Sequence, residues 1–286
     1  MDYVVTTLTF TGITLIGVLG TYLVTGLTGL FSFGQAAFLA IGAYVSAVLV
    51  KNAAVPFPLA AVVAVAAGAL VGAIVGFPTV RLRRDYISLV TFGFGEAIIA
   101  VLNDSANTTG GAMGLSGIPR YTSPLVVLAS VVLCLFIVWN YKYSRYGRQC
   151  LALKSDELAA RAMGIHVTRL KLVTFVLAAA MTSYAGVLYG FFTTYVEPGA
   201  FGWTVSAEWI IIVFVGGINS LTGAVVAALL LTGLPEMLRA ASEWRITIYC
   251  IVVLVIINVH PSGLLGEREL SLRSLRRLLP AGARTR

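Results

Sequence analysis

The sequence predicts an all-α fold, a polytopic integral membrane helical bundle of eight to nine transmembrane helices. Three observations carry that prediction. Of the 286 residues, 58% are hydrophobic and 11% charged, against about 25% charged in a soluble domain. Mean hydropathy is +0.92. The apolar residues fall in successive runs without two-residue alternation, near the roughly 20 residues that cross a ~30 Å hydrocarbon core. In lipid every backbone polar group is paired inside its own segment or in a closed barrel, so runs of this kind are helices.

Taken in order, the predicted spans cover residues 3–24, 30–50, 58–77, 85–102, 121–141, 168–192, 205–218, 221–238 and 245–259. Met1-Asp2 lacks the basic n-region of a secretory signal, so the first span is expected to be retained. Gly29 and Gly34 interrupt the start of the second, with Ser32 and Gln35 between and beside them. This suits a discontinuous helix whose freed backbone groups are covered by protein or face a water-filled cavity; close small-residue packing explains the glycines equally well, but not Gln35. Glu96 lies in the middle of the fourth span, where a charge costs about 2.5 kcal/mol or more. It is therefore expected to face the bundle interior or water and to find a partner. The sixth span is long and the seventh short. Glu236, near the end of the eighth, is expected to pair with Arg239.

Alternate threading of these spans puts sixteen of the twenty Lys/Arg on one side: Arg81, Arg83 and Arg84, seven residues between Lys142 and Lys171, and six arginines from Arg268 to Arg286. Lys51, Arg120, Arg239 and Arg245 remain opposite. Basic residues collect on the cytoplasmic side, which predicts a cytoplasmic C-terminus and an external N-terminus. The chain divides into a transmembrane domain, residues 1–260, and a basic tail, residues 261–286, expected first as a disordered signal that keeps this end inside and second as a segment able to touch anionic lipid headgroups. No nucleic-acid recognition fold accompanies the charge.

The same composition excludes other classes. Cys134, Cys150 and Cys250 have no metal-ligand or disulfide spacing, and His166 and His260 are isolated. No nucleophile with a base, carboxylate pair or metal cluster is legible, so no catalytic residue is assigned. None of the four lysines ends a Gly-x-x-x-x-Gly-Lys phosphate loop. The chain is expected to bind no cofactor of its own; if ATP drives it, another chain hydrolyses it.

Residues 142–171 form the polar island of an otherwise apolar sequence. Ser155 is a good N-cap, Asp156 and Glu157 oppose the helix dipole, and Leu158, Ala159, Ala162 and Met163 recur on one side. Gly164 supplies a left-handed stop, after which Thr168 is placed to cap the next span. This encodes a short amphipathic helix, either folded onto its own bundle or presented to a soluble partner.

Glu157-Leu-Ala-Ala-Arg-Ala-Met-Gly-Ile165 resembles the coupling segment of ABC importer permeases, with Ala159, Ala160 and Gly164 in the spacing of its Glu-Ala-Ala-x-x-x-Gly loop. Leu158 stands where that loop has its glutamate, and the distal Ile-x-Leu-Pro is absent. Three further stretches are similar to LivM-type permeases of branched-chain amino acid importers. They are Gly29-Leu-Phe-Ser-Phe-Gly-Gln-Ala-Ala-Phe38, the block from Arg83-Arg-Asp-Tyr86 through Glu96 to Gly114-Leu-Ser-Gly-Ile-Pro119, and Val215-Gly-Gly-Ile-Asn-Ser-Leu-Thr-Gly223. In the last, Asn219 replaces a common glycine.

The resemblance implies a non-catalytic permease in the bacterial inner membrane, paired with a LivH-type sister permease, two cytoplasmic ATPases that use ATP and Mg, and an external solute-binding protein. It implies ATPase coupling through Glu157, Ala159, Ala160, Gly164 and Ile165. Ser32, Gln35, Glu96 and Asn219 are the candidate pathway or structural polar residues. Branched-chain or related amino acids are the first expectation for substrate, with urea or short amides as alternatives. A self-sufficient secondary transporter or channel would call for more mid-span charge and clearer internal repeats.

Overall fold

A computed structural model describes residues 3–237, 245–260, 262–266 and 269. Helices follow the apolar runs. Helix α1 (Tyr3–Tyr22) continues without interruption into a π-helical turn, Leu23–Leu27. Gly29, at φ +69°, ends it in the left-handed conformation. Its N–H donates to Thr25 O (3.2 Å) and Leu30 N–H donates to Val24 O (3.3 Å), satisfying carbonyls that the helix end leaves free.

Helix α2 (Gln35–Ala53) starts five residues later than expected. Gly29 has closed one helix and the next has not begun, so residues 29–34 are non-helical, yet mostly buried. The Phe33 N–H donates to Thr91 Oγ1 (3.1 Å). Thr91 lies seven residues inside α4 (Arg84–Asp104), about 10 Å along the helix at 1.5 Å per residue. The broken start of the second span is thus threaded into the bundle and covered by protein.

The remaining helices are α3 (Phe57–Thr79), α5 (Ala106–Thr109), α6 (Pro124–Tyr143), α7 (Arg145–Ser155), α8 (Glu157–Ala162), α9 (Val167–Thr193), α10 (Trp203–Gly216), α11 (Leu221–Met237) and α12 (Arg245–Val259). Among the described residues, seven helical stretches are long and apolar enough to cross a membrane: α1 with its π turn, α2, α3, α4, α6, α9, and α10 joined to the turn Pro198–Phe201. Helices α11 and α12 are apolar but shorter within the described residues, set against the eight to nine spans the sequence predicts.

Helix α9 is the centre of the bundle, packed against α1, α2 and α3. Lipid tails are as apolar as leucine, so membrane helices associate through close packing of small residues. A Cβ on Gly186 would lie 2.0 Å from Leu39 O, and one on Gly42 1.9 Å from Ser183 O; α2 and α9 therefore meet backbone to backbone. On α3 the buried residues Ala60, Ala64, Gly68, Gly72 and Gly76 repeat every four positions, forming one stripe whose glycines face α9.

At one end of the bundle, strands β1 (Leu115–Ser116) and β2 (Tyr195–Val196) pair antiparallel with Leu115 opposite Val196. The hydropathy pattern does not reveal them because each is two residues long. Lys51 Nζ donates to Ser116 O (2.8 Å) and the Arg120 guanidinium lies 5.1 Å from the Phe192 ring centre. These two basic residues share that end, as the threading predicts. Arg84, Lys142 and Lys154 gather at the other. Arg239, most of the Arg-rich tail and the Glu236–Arg239 pair lie outside the described residues.

Candidate functional site: a polar platform at the basic end

The polar island folds into two helices. The sequence reading missed α7, whose buried face is Gly147, Cys150 and Leu153 at three-residue spacing. Cys150, within the polar island, is fully buried, and that burial pushes its thiol pKa up. Ser155 ends α7, its hydroxyl donating back to Leu151 O. The cap of α8 is instead Asp156, whose Oδ1 accepts from Leu158 N (2.8 Å) and Ala159 N (3.1 Å). Gly164, at φ +80°, stops α8 as expected, with Ile165 N donating to Ala160 O in a Schellman closure. Thr168 does not cap α9: that helix starts at Val167 behind His166 and has no side-chain cap.

The orientation of α8 differs from the sequence reading in one respect. Ala160, expected to enter a partner, is buried against the protein's own core, while Leu158 and Met163 are 79% and 84% exposed. Ala159 and Ala162 are exposed with them and Ile165 is half-buried. Glu157 holds the helix in place: its Oε1 accepts from Arg161 (2.7 Å) and its Oε2 from the buried Lys171 Nζ (2.8 Å). Partial burial penalises the carboxylate charge, but the hydrogen bonds and charges of Lys171 and Arg161 outweigh it and lower the pKa below the usual value.

A chain of polar contacts joins this platform to the spans. Arg84 Nη2 donates to the carbonyls of Leu153 and Lys154, each at 3.0 Å, the last turn of α7 where cations are favoured. Lys154 Nζ donates to Gly26 O (2.8 Å), in the π turn, and to Asn219 Oδ1 (2.6 Å), in the turn between α10 and α11. Lys142 Nζ donates to Asn219 O (2.7 Å), to the Tyr22 hydroxyl (2.8 Å) and to Glu269 Oε1. Glu269 Oε1 also accepts from Leu221 N (2.8 Å). The segment after α12 returns to this turn as well, with Leu264 N donating to Val215 O (2.8 Å). Residues 262–266 and Glu269, which the sequence assigns to the tail, thus pack on the bundle. Of the residues singled out from the sequence, Asn219 and Glu157 lie in this network. Lys142, Lys154, Arg84, Lys171 and Glu269 enter it from the structure, since in the sequence they register only as charge bias.

The other singled-out residues lie inside the bundle or on its outside. Gln35 and Ser32 are buried; Gln35 Oε1 accepts from Thr182 Oγ1 (3.0 Å), while Gln35 Nε2 and Ser32 Oγ have no hydrogen-bond partner among the described residues. Ser206 Oγ of α10 accepts from Ala36 N (2.8 Å), capping the first turn of α2 from another helix. Glu96 does not face the interior of this chain's own bundle: it is exposed on the outer face of α4 beside Gly93 and Ala97, and its side chain has no hydrogen bond or ion pair to the described residues. The mid-span position was correctly read, but the direction of the side chain depends on helix rotation, which this nearly all-apolar segment does not encode.

Fold and site define a class, a multi-pass helical membrane protein with a folded polar platform at one end of its spans. Residues 3–259 match the family described as branched-chain amino acid transport system, permease component. The chain is 34% identical over 295 residues to the high-affinity branched-chain amino acid transport system permease protein LivM of Salmonella typhimurium, covering 90% of this chain and 68% of the relative. It is also 34% identical over 145 residues to LivH of Escherichia coli, covering 50% of this chain and 45% of that protein. To BraD of Pseudomonas aeruginosa it is 23% identical over 280 residues, covering 88% and 91%. No solved structure matches. The chain belongs to the branched-chain amino acid transport permease family.

Proposed function

We propose that this chain is the transmembrane permease subunit of an ATP-binding cassette importer for branched-chain or related amino acids. In this reading it forms the translocation pathway with a LivH-type sister permease. Two ATPases bind the basic end, which faces the cytoplasm, and an external solute-binding protein delivers substrate to the end carrying β1 and β2. The chain has no chemistry of its own to perform; it converts movement of the ATPases into movement of helices.

The observation that carries the reading is the platform. Helix α8 presents Leu158 and Met163 outward, while Glu157–Lys171 ties it to α9. Through α7, Arg84 and Lys154 link the same unit to α4, to the π turn of α1 and to the α10–α11 turn. A push on α8 therefore reaches several spans through hydrogen-bonded contacts. Glu96 supports a second permease: a mid-span carboxylate on an outer face costs about 2.5 kcal/mol or more against lipid, so this face of α4 belongs against the sister subunit or the aqueous pathway between them.

The test is uptake in cells lacking their own branched-chain permeases, with this chain co-expressed with its sister permease, ATPases and binding protein. Labelled leucine should accumulate only when the ATPases are active. Accumulation that persists with an inactive ATPase would overturn the importer reading, and uptake of urea but not leucine would overturn the substrate.

A further inference from the structure

A groove of about 590 Å³ opens beside the platform, between the end of α3 and the start of α9. One wall is polar, made by Arg161, His166 and Arg169, and the other is apolar, made by Phe77, Ile165 and Leu172. Arg81 lies over the Phe77 ring at 4.1 Å and adds a further cation at the rim. The nearby acids are already engaged: both Glu157 oxygens accept from Arg161 and Lys171, and Asp156 caps α8. The side chains of His166 and Arg169 form no hydrogen bond or ion pair among the described residues, and both residues are exposed. The uncapped start of the 27-residue α9 adds its positive dipole end on the same side.

Depth and shape select the occupant. The groove sits where two spans, Phe57–Thr79 and Val167–Thr193, reach their basic ends, which is headgroup level. From Phe77 the apolar wall continues along the outer face of α3 through Ile74, Leu70 and Val63, all exposed, opposite the glycine stripe that packs on α9. An anion recognised here therefore has an acyl track beside it. We infer that this groove binds one anionic phospholipid of the cytoplasmic leaflet, its phosphate held by Arg169, Arg161 and His166 and one acyl chain lying along α3. Basic pockets between spans recognise lipid headgroups in this way.

The experiment uses the full chain purified with its sister permease in a neutral detergent, titrated with dioleoylphosphatidylglycerol, dioleoylphosphatidylcholine or inorganic phosphate and read by native mass spectrometry and thermal unfolding. Phosphatidylglycerol should bind and raise the unfolding temperature. Phosphatidylcholine and inorganic phosphate should do neither to a comparable degree. Arg169→Gln should weaken phosphatidylglycerol about fivefold, with His166→Gln added to it weakening it further and Arg169→Lys retaining most of the affinity. On the unaltered protein, raising the salt concentration should weaken binding. Equal binding of phosphatidylcholine, equal binding of free phosphate, unchanged affinity in Arg169→Gln or no salt effect would each overturn the proposal. None of these readouts involves transport, so they stand apart from the importer reading.

Discussion

Lys154 and Asn219 meet across 65 residues of sequence, Lys154 Nζ donating to Asn219 Oδ1 at 2.6 Å while also donating to the Gly26 carbonyl. One side chain thus connects the last turn of α7, the π turn of α1 and the turn between α10 and α11. A π turn leaves carbonyls without the usual helical partner and recurs at functional positions; here a lysine from another helix takes one of them.

Replacing that lysine should therefore be more harmful than replacing its side-chain acceptor. Lys154→Met removes its contact to Asn219 Oδ1 and the donor to the buried Gly26 carbonyl, the latter with an expected loss of about 1–3 kcal/mol. Asn219→Gly leaves the Lys154–Gly26 contact in place and should be milder. Thermal unfolding of the two purified variants checks the order; a more stable Lys154→Met than Asn219→Gly would show that the contact contributes little.

Lys142, 7% exposed, and Glu269, 17% exposed, form an ion pair that pins the segment after α12 to the α10–α11 turn. Breaking a buried pair from one side leaves an uncompensated charge and costs about 3–5 kcal/mol, whereas replacing both partners by apolar groups is often neutral. Glu269→Leu should accordingly lower stability sharply and Lys142→Met/Glu269→Leu should recover much of the loss. A double-mutant cycle with no coupling energy would refute the pairing.

The two faces of α8 should separate docking from folding. Leu158→Glu and Met163→Glu alter exposed side chains, so they should leave the permease folded in the membrane while ATPase co-purification falls. Ala160→Glu instead forces a charge into the core and should reduce folded protein itself. If Leu158→Glu and Met163→Glu both assembled and transported normally, α8 would not be the docking surface.

Glycine substitutions test the backbone contact of α2 and α9. Gly186→Ala places a methyl 2.0 Å from Leu39 O, overpacking that should cost at least about 1–3 kcal/mol. A Cβ on Gly93 meets nothing within 4 Å, so Gly93→Ala, inside helix α4, should be neutral or stabilising by up to about 1 kcal/mol. Similar unfolding temperatures for the two variants would mean that α2 and α9 are not in backbone contact.

Glu96 makes no described contact within the chain, so Glu96→Gln and Glu96→Leu should both express and unfold like the unaltered protein. Uptake should distinguish them, with Glu96→Gln retaining most of it and Glu96→Leu losing most of it, because only the amide can hydrogen-bond across to the facing subunit or to water. Full uptake by both variants would place this face of α4 outside the pathway and the subunit interface.

Residues near in the chain were enough to determine that apolar runs form helices, the grouping of Arg84, Lys142 and Lys154 against Lys51 and Arg120, the glycine stop at Gly164 and the broken start of the second helix. Each of these rests on local hydropathy, backbone satisfaction or a φ that glycine alone adopts readily. The cap of α8 was misplaced by one residue because Ser155 and Asp156 are both good caps, and the choice between them depended on α7, whose three-residue spacing is masked by its charges. Only the tertiary structure decided that Ala160 turns inward, that Glu96 turns outward, and that Lys154 finds Asn219 and Lys142 finds Glu269. Those outcomes depend on the rotation of helices about their axes and on partners 65 and 127 residues away. When most positions of a span are apolar, little in the pattern marks which face will meet protein. The choice falls to backbone approaches such as Gly42 and Gly186 and to the few polar groups that must find one another.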